Sequence, residues 1–217
     1  DSRMENTFDV ALHLGTLSGL VVCLWGDVQR HARAGLGALV GRQPWDTDAK
    51  IGWLLLLSAA PAAIAATLLE SFLLKLGDRI GIIAIGLAFF GLLLWFVDSQ
   101  ARSKRSFRDF SGRDALKMGA AQSLALLPGV SRSGIAITVA RMTGYDRPHA
   151  ARLAFLMGIP IIAGAGLHRS YGVLSEGLPA GMWPALITGT LTAAITGWVA
   201  LRFTLRWVQS HSYAGFA

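Results

Sequence analysis

Long apolar stretches dominate the chain and alternate with shorter polar segments. Five of them approach the roughly 20 residues that a helix needs to cross the hydrocarbon core of a membrane. They lie near residues 8–25, 51–69, 79–97, 150–167 and 183–205. The pattern predicts an all-α polytopic membrane protein with five spanning helices.

Basic residues concentrate in two of the polar segments, near 27–50 and 98–117. The link near 70–78 offers only Lys75, and the link near 168–182 is also poor in basic residues. Cytoplasmic loops of membrane proteins carry an excess of Lys and Arg. We therefore expect the two basic loops on the cytoplasmic side and the two links on the outer side.

Composition supports the membrane assignment. Hydrophobic residues make up 53% of the 217 residues and charged residues 15%, and the mean hydropathy is +0.49. The net charge of +7 would suggest nucleic-acid binding in a soluble domain, but the placement of the basic residues in loops argues against that function. The single cysteine, Cys23, excludes an intrachain disulfide. We expect one integral membrane domain over residues 1–217.

The region near 115–142 does not fit as a further span. Pro128 and Gly129 divide it into two apolar arms, each too short to cross about 30 Å of hydrocarbon. It is predicted to be a re-entrant helical hairpin. Irregular backbone at membrane depth is tolerated only where protein or water satisfies its amides, so the tip of the hairpin should line a cavity.

Residues 127–134, with the sequence Leu-Pro-Gly-Val-Ser-Arg-Ser-Gly, place Arg132 between two hydroxyls just after the break. An arginine within a membrane-embedded segment normally faces a polar cavity or a partner charge. Its forked guanidinium can hold two phosphate oxygens, and the Ser131 and Ser133 hydroxyls can donate further hydrogen bonds. We predict an anion site that includes these three side chains as catalytic candidates.

The backbone and one amide side chain extend the predicted site. A helix that starts near Ser131 would direct its free N–H groups toward the tip, where Gly129 and Gly134 permit close approach of a ligand. Gln122 lies two helical turns before the break, where it could orient the arginine or the ligand. Gly129, Gly134, Gln122 and Arg132 are therefore the predicted substrate-binding residues.

Structural alternatives remain open at these positions. Ser131 could serve only as a helix cap, Pro-Gly could be an ordinary turn between helices, and Arg132 could reach a lipid headgroup. Asp9 and His13 could share a polar face toward the cavity, although a structural hydrogen bond is the favoured interpretation of that pair.

Three other features are interpreted as structural. Pro61 and Pro160 are expected to kink spans. The polar run from Arg141 to Arg152 is expected to be a solvated turn at the membrane interface, and steering of phosphate there is the less favoured option.

Two segments carry a resemblance to a known family. Residues 119–134, with Gly-Ala-Ala-Gln-Ser before the Pro-Gly break, and Ala-Arg-Leu-Ala-Phe-Leu-Met-Gly-Ile-Pro at 151–160 resemble the second signature region of the undecaprenyl-pyrophosphate phosphatase family, the bacitracin-resistance proteins. Residues 8–16 and 212–217 resemble other parts of that family more weakly.

The resemblance implies an enzyme of the bacterial plasma membrane that removes the terminal phosphate of a C55 polyprenyl pyrophosphate and so recycles the carrier lipid of cell-wall synthesis. It implies a fold of two inverted repeats, each with a re-entrant hairpin. Arg132 would bind the pyrophosphate, with Ser131 and Ser133 beside it. A divalent cation, magnesium or calcium, is also implied, and a homodimer is left open.

Parts of the family pattern have no counterpart in this sequence. The family's first signature region, which supplies metal-binding carboxylates and the candidate nucleophile or base, is not matched, so we expect a half-complete inverted repeat cut at both ends. Asp9, Glu70 and Asp98 are too scattered in the chain to form a metal cluster. The family's threonine four residues after the arginine is replaced by Ala136, with Thr138 two residues further on.

Two other functions fit parts of the same pattern. A lipid-phosphate transporter or flippase could use the same broken helix and arginine to hold an anion without chemistry. The histidine-dependent lipid phosphatases carry a histidine six residues after a Ser-Arg pair, whereas this chain has Thr138 there. That substitution argues against the second function.

Overall fold

The computed structural model describes residues 2–76, 79–176 and 181–217, and the described chain is helical. Short 3-10 turns lie at Phe107–Asp109, Leu124–Leu126 and Tyr213–Phe216. The helices of the described residues are α1 (Ser2–Cys23), α2 (Trp25–Leu39), α3 (Thr47–Leu57), α4 (Ala60–Leu76), α5 (Ile80–Gln100), α6 (Gly112–Ser123), α7 (Arg132–Met142), α8 (Arg147–Glu176) and α9 (Trp183–Trp207).

Four helical segments are long and apolar enough to cross a membrane. These are Thr47–Leu69, Ile80–Gln100, Arg147–Tyr171 and Trp183–Trp207. The span expected near 8–25 is α1, which qualifies only when it is taken together with α2 as one bent pair. The prediction of a polytopic all-α membrane protein is confirmed. Within the expected outer links at 70–78 and 168–182, the side chains of residues 70–78 and 172–180 lie outside the described residues.

The basic segment near 27–50, expected to be a loop, is largely helical. Helix α2 covers most of it, and the Nε1 of Trp53 in α3 donates to the carbonyl oxygen of Gly35 in α2 at 3.2 Å. The small residues Ala34 and Ala38 recur at helical spacing and pack with Ala49 of α3. The distribution of charges alone does not show this helical spacing.

The chain divides into two compact units, of which the first comprises residues 1–28 and 159–204. Within it, the backbones of α1 and α9 approach closely, because a Cβ at Gly15 or Gly19 would overlap the carbonyl oxygens of Thr190 or Ala194. The hydroxyl of Thr190 also donates to the carbonyl oxygen of Ala11 at 3.2 Å. Small residues at such contacts are characteristic of helix packing in membranes.

Asp9 and His13 lie on an exposed part of this first unit. The Nδ1 of His13 is 2.8 Å from the backbone carbonyl oxygen of Asp9, and the Asp9 carboxylate pairs with Arg169 at 2.7 Å. The favoured interpretation, a structural hydrogen bond between Asp9 and His13, is what the structure shows.

The second unit, residues 29–158 and 205–217, contains the hairpin. Its two arms are α6 and α7, which pack on each other, with α6 also against α4 and α7 against α5. Arms of 12 and 11 residues are only about 18 and 16 Å long, too short to cross a membrane. The predicted helical hairpin is present.

Of the two prolines that were expected to kink spans, Pro61 and Pro160, only Pro160 lies in the interior of a helix. The span at 51–69 is interrupted between α3 and α4, and Pro61 lies in the first turn of α4 rather than in mid-helix. Proline is tolerated in a first turn because its missing N–H needs no intrahelical acceptor there. Pro160 does lie inside α8.

The polar run at 141–152 is not a solvated turn. The Arg141 side chain is only 2% exposed, and its Nε is 2.8 Å from Oδ1 of the equally buried Asp98. Arg147 bonds the same carboxylate at 3.0 Å, and the backbone N–H of Tyr213 donates to it at 3.1 Å. This Asp98 cluster joins the ends of α5 and α7, the start of α8 and the C-terminal 3-10 turn. A buried carboxylate requires such neutralisation.

A second carboxylate fixes the base of the first arm. Asp114 accepts hydrogen bonds from the guanidinium of Arg105 at 2.9 Å and from the hydroxyls of Ser111 at 2.6 Å and Tyr145 at 3.0 Å. Burial by itself would raise the pKa of Asp114, but the hydrogen bonds from Arg105 and Ser111 outweigh it and lower the pKa from 3.8 to about 2.

Replacement of Asp98 by Asn should destabilise the protein by about 3 kcal/mol or more, because it leaves the buried charge of Arg141 without a counterion. Thermal unfolding of the purified protein in detergent measures the effect. The control is Asp9→Asn, which removes an exposed ion pair with Arg169 and should cost less than about 1 kcal/mol. Equal losses in the two variants would contradict the structural role of Asp98.

The Asp114 network predicts a pH dependence. Because the folded pKa is below the unfolded value, the carboxylate contributes stability above about pH 4 and loses it as the pH falls through about 2. The full contribution is about 2 kcal/mol. The difference in unfolding midpoint between wild type and Asp114→Asn should shrink over that window, and a difference that stays constant down to pH 2 would refute it.

Candidate functional site

The turn of the hairpin rests directly on α5. Gly129 has a φ of +85°, and a Cβ there would overlap the carbonyl oxygen of Ile83. On the other side of the contact, a Cβ at Gly86 would lie 2.8 Å from the carbonyl oxygen of Pro128. Glycine is therefore required at 129 by both backbone conformation and space. The tip of the hairpin is fixed against the N-terminal half of α5.

Ser131 begins α7 as its N-cap. Its Oγ accepts a hydrogen bond from the amide of Gly134 at 3.1 Å, and its carbonyl oxygen accepts from the amide of Ile135 at 2.9 Å. The amides of Arg132 and Ser133 lie in the first turn, where no preceding turn supplies acceptors. The cap and the anion site are compatible, because an accepting hydroxyl still has its own hydrogen to donate.

The side chains of the motif lie together at this helix start. The Oγ atoms of Ser131 and Ser133 are 3.5 Å apart. Arg132 is partly buried, and within the described ranges its guanidinium takes part in no hydrogen bond or ion pair. A partly buried cation without a counterion favours binding of an anion. The two hydroxyls are thus brought together at the helix start beside Arg132 in the chain, and the anion site that includes all three residues stays a prediction.

Gln122 is in a different environment, inside the first arm. Its side chain is 1% exposed, and neither its Oε1 nor its Nε2 has a hydrogen-bond partner in the described part of the chain. An unsatisfied buried amide costs about 1–3 kcal/mol. No hydrogen bond joins Gln122 to Arg132 among the described residues, so the role in orienting the arginine has no contact to support it. Substrate binding by Gln122 stays a prediction.

Positions 136 and 138, further along α7, do not offer a hydroxyl to a ligand. Ala136 is fully buried, and the hydroxyl of buried Thr138 donates to the carbonyl oxygen of Gly134 at 2.8 Å. That bond stays within α7. A threonine contact with the anion at this place is therefore not available from Thr138 in this geometry.

Comparison with known proteins bears on what this site serves. The family described as bacitracin resistance protein BacA matches residues 1–217. The chain belongs to this family. It is 39% identical over 217 residues to the undecaprenyl-diphosphatase of Thermomicrobium roseum, covering 96% of this chain and 78% of the relative.

Other BacA relatives are similar over the same extent. The undecaprenyl-diphosphatase of Moorella thermoacetica is 40% identical over 210 residues, which cover 97% of this chain and 77% of the relative. That of Pelobacter propionicus is 42% identical over 212 residues, with the same two shares. The resemblance drawn from residues 119–134 and 151–160 is confirmed at the level of the family.

The divalent cation that the BacA resemblance implies does not fit the residues that the structure describes. In the described ranges, no three His, Cys, Asp or Glu side chains come together as a metal site. Asp98 and Asp114 are already bonded to arginines, and the Glu70 side chain lies outside the described residues. Carboxylates engaged in this way are poor ligands for magnesium or calcium.

The sequence did not predict the contacts that hold the hairpin on α5, although one signal for them was present. Asp98 is a carboxylate at the end of a long apolar run, which requires a cationic partner nearby. That partner, Arg141, is 43 residues away in the chain. The contacts of Ile83 and Gly86 with the turn had no comparable signal, because they involve backbone atoms within an apolar span.

Replacement of Gly129 by Ala should lower the unfolding temperature by several degrees or abolish folding. The new Cβ would meet the Ile83 backbone, with the carbonyl carbon only 2.9 Å away, in a conformation that L-residues avoid. Gly81→Ala, also in this unit, is the control, since a Cβ there has nothing within 4 Å. A Gly129→Ala protein as stable as Gly81→Ala would show that the turn does not rest on α5.

Proposed function

We propose that this BacA family chain belongs to an undecaprenyl-diphosphate phosphatase that hydrolyses undecaprenyl pyrophosphate to the monophosphate and inorganic phosphate. The observation that carries the proposal is Arg132, a cation at a helix start whose guanidinium has no hydrogen bond or ion pair within the described ranges. The names of the relatives supply the substrate. In the reaction, water attacks the terminal phosphorus and the bond from that phosphorus to the bridging oxygen breaks.

The geometry suits the charge changes of this reaction. Phosphoryl transfer depends mainly on positioning and on stabilising charge. The Arg132 guanidinium can donate to two oxygens of the pyrophosphate, while the first-turn amides and the Ser131 and Ser133 hydroxyls donate to others. These donors strengthen their interaction as negative charge develops on the leaving undecaprenyl phosphate.

The hairpin supplies hydrogen-bond donors, but its one carboxylate, Asp114 in α6, is already bonded to Arg105. Between residues 115 and 142 the sequence contains no Asp, Glu or His. The group that activates water must therefore come from outside this hairpin. The roles of Ser131 and Ser133 are accordingly limited here to donating hydrogen bonds.

Several features of the enzyme stay proposals. We infer a bacterial plasma membrane location and a role in recycling the cell-wall carrier lipid, with bacitracin resistance as a consequence, from the family and the apolar spans. Assistance by magnesium or calcium rests on the family resemblance alone. A homodimer, the half-complete inverted repeat, the single domain over residues 1–217 and the lack of nucleic-acid binding remain predictions.

Replacement of Arg132 by Ala should lower kcat/KM for phosphate release from undecaprenyl pyrophosphate at least about 100-fold, because a principal donor to the transition state is lost. Stability should change little, since the guanidinium has no partner among the described residues to lose. Phosphate release and thermal unfolding are measured on the same detergent-purified protein, with Arg132→Lys expected to be intermediate because it keeps the charge without the fork.

Arg102→Ala is the matched control, because Arg102 is exposed in the loop after α5 and should retain normal activity. A folded Arg132→Ala protein with wild-type phosphate release would contradict the proposal. If folded wild-type protein released no phosphate but bound the lipid pyrophosphate in a way that depends on Arg132, the result would instead support the transporter. No present observation favours that function.

A further inference from the structure

Helix α2 is held on the rest of its unit by one face only. His31, Ala34 and Ala38 on that face are buried. A Cβ at Gly52 of α3 would lie 2.6 Å from the carbonyl oxygen of His31, and Trp53 bonds the Gly35 carbonyl at 3.2 Å. Backbone contacts as close as these fix the rotation of α2 about its axis, and with it the direction of its other faces.

The outward surface of α2 is divided into a basic and an apolar part. With 100° per residue, Arg30 and Arg33 lie on one side and Leu36 and Leu39 on the next, roughly 120° apart and each roughly 120° from the buried face. Both arginines are exposed. Leu36 and Leu39 are 61% and 59% exposed, and Val40, just beyond the helix, is 63% exposed.

The partners of α2 favour a position at the membrane surface. It packs on the first turns of α3, where His31 Nδ1 lies 3.2 Å from the Asp48 carbonyl oxygen, and α3 opens the candidate span Thr47–Leu69. Asp46 caps this start. At 15 residues, α2 is about 22 Å long and cannot cross the membrane itself. A helix at this depth meets headgroups on one side and acyl chains on another.

Beyond Asp27, an acid in the first turn of α2 that is itself engaged in an interaction, the charge of this segment is of one sign. Between residues 29 and 45 there are three arginines and no Asp or Glu. Neither Arg30 nor Arg33 forms a hydrogen bond or ion pair within the described ranges. Of the nearby acids at the start of α3, Asp46 accepts from the amide of Ala49 at 2.8 Å, and the Asp48 carboxylate lies 3.6 Å from Nδ1 of His31. The arginines are therefore available to an anion from outside the chain.

We propose that α2 is an interfacial helix that binds anionic phospholipid through Arg30 and Arg33, while Leu36, Leu39 and Val40 enter the acyl region. The basic part is complementary in charge to a phosphatidylglycerol-like headgroup. The apolar part can insert among acyl chains, and a soluble anion has no acyl chains for it to contact. The proposal concerns a lipid other than the substrate and does not depend on the phosphatase activity.

The decisive experiment compares phosphatidylglycerol with phosphatidylcholine, titrated into the full chain in detergent, with thermal stabilisation as the readout. Arg30→Gln/Arg33→Gln should weaken the apparent affinity for phosphatidylglycerol on the order of tenfold, because each basic residue near an anionic membrane surface contributes several-fold to the affinity. The affinity for phosphatidylcholine should stay unchanged. High salt should reduce the same difference.

Arg102→Gln/Arg108→Gln removes two exposed arginines from another segment and serves as the matched control. An equal loss of phosphatidylglycerol affinity in both double variants would overturn the proposal, because it would show a response to net charge rather than to α2. Unchanged affinity in Arg30→Gln/Arg33→Gln would overturn it as well.

A second measurement tests the apolar face. A fluorophore is attached to Leu36→Cys in a Cys23→Ser background and the protein is placed in vesicles of phosphatidylglycerol with brominated acyl chains. Strong quenching at 36, and little at the exposed loop position Lys104→Cys, supports the proposal. Absence of quenching at 36, with oligomers that dissociate in Leu36→Glu, would assign the face to a second copy of the chain and overturn it.

Discussion

The carboxylate of Asp98 is the point on which the hairpin's support depends. It is buried with Arg141, and such a charge is stable in a low-dielectric interior only when paired and hydrogen-bonded. Arg147 and the Tyr213 amide complete its bonds, so four segments of the second unit converge on one side chain. Because Gly129 contacts Ile83 at the other end, α7 is held on the same helix, α5, at two places.

Two arginines on α7 illustrate how the surroundings decide the role of a residue. Arg141 is neutralised by Asp98 and is part of the framework. Arg132, nine residues or about 13 Å earlier along the helix, has no counterion among the described residues. A protein that binds a highly charged anion needs a cation that its own fold leaves unpaired. The rest of the fold then has to supply the stability that this cation does not.

The features that were predictable from the sequence depend on short-range patterns. Span lengths follow from continuous apolar runs, and the hairpin follows from Pro128 and Gly129 between two short arms. The Ser131 cap is also a local signal. The buried state of Arg141 was missed, because it depends on which distant segment packs against it. The helix α2 was missed for a local reason, since its small residues at helical spacing lie among charges, and the position of Pro61 was missed because the apolar run at 51–69 continues through the break between α3 and α4. Arg141 looks like a solvated residue until its partner 43 residues away is known.

The interlocking of Gly129 with α5 has a consequence for ligand recognition. A loop that must become ordered when it binds a phosphate loses conformational entropy at that step and binds more weakly for it. Here the backbone at the tip is already held by Ile83 and Gly86, so it loses its conformational entropy during folding and not during binding. An anion site at this tip, as proposed, would be preorganised, because its backbone donors would meet the anion without reorganisation of the peptide chain.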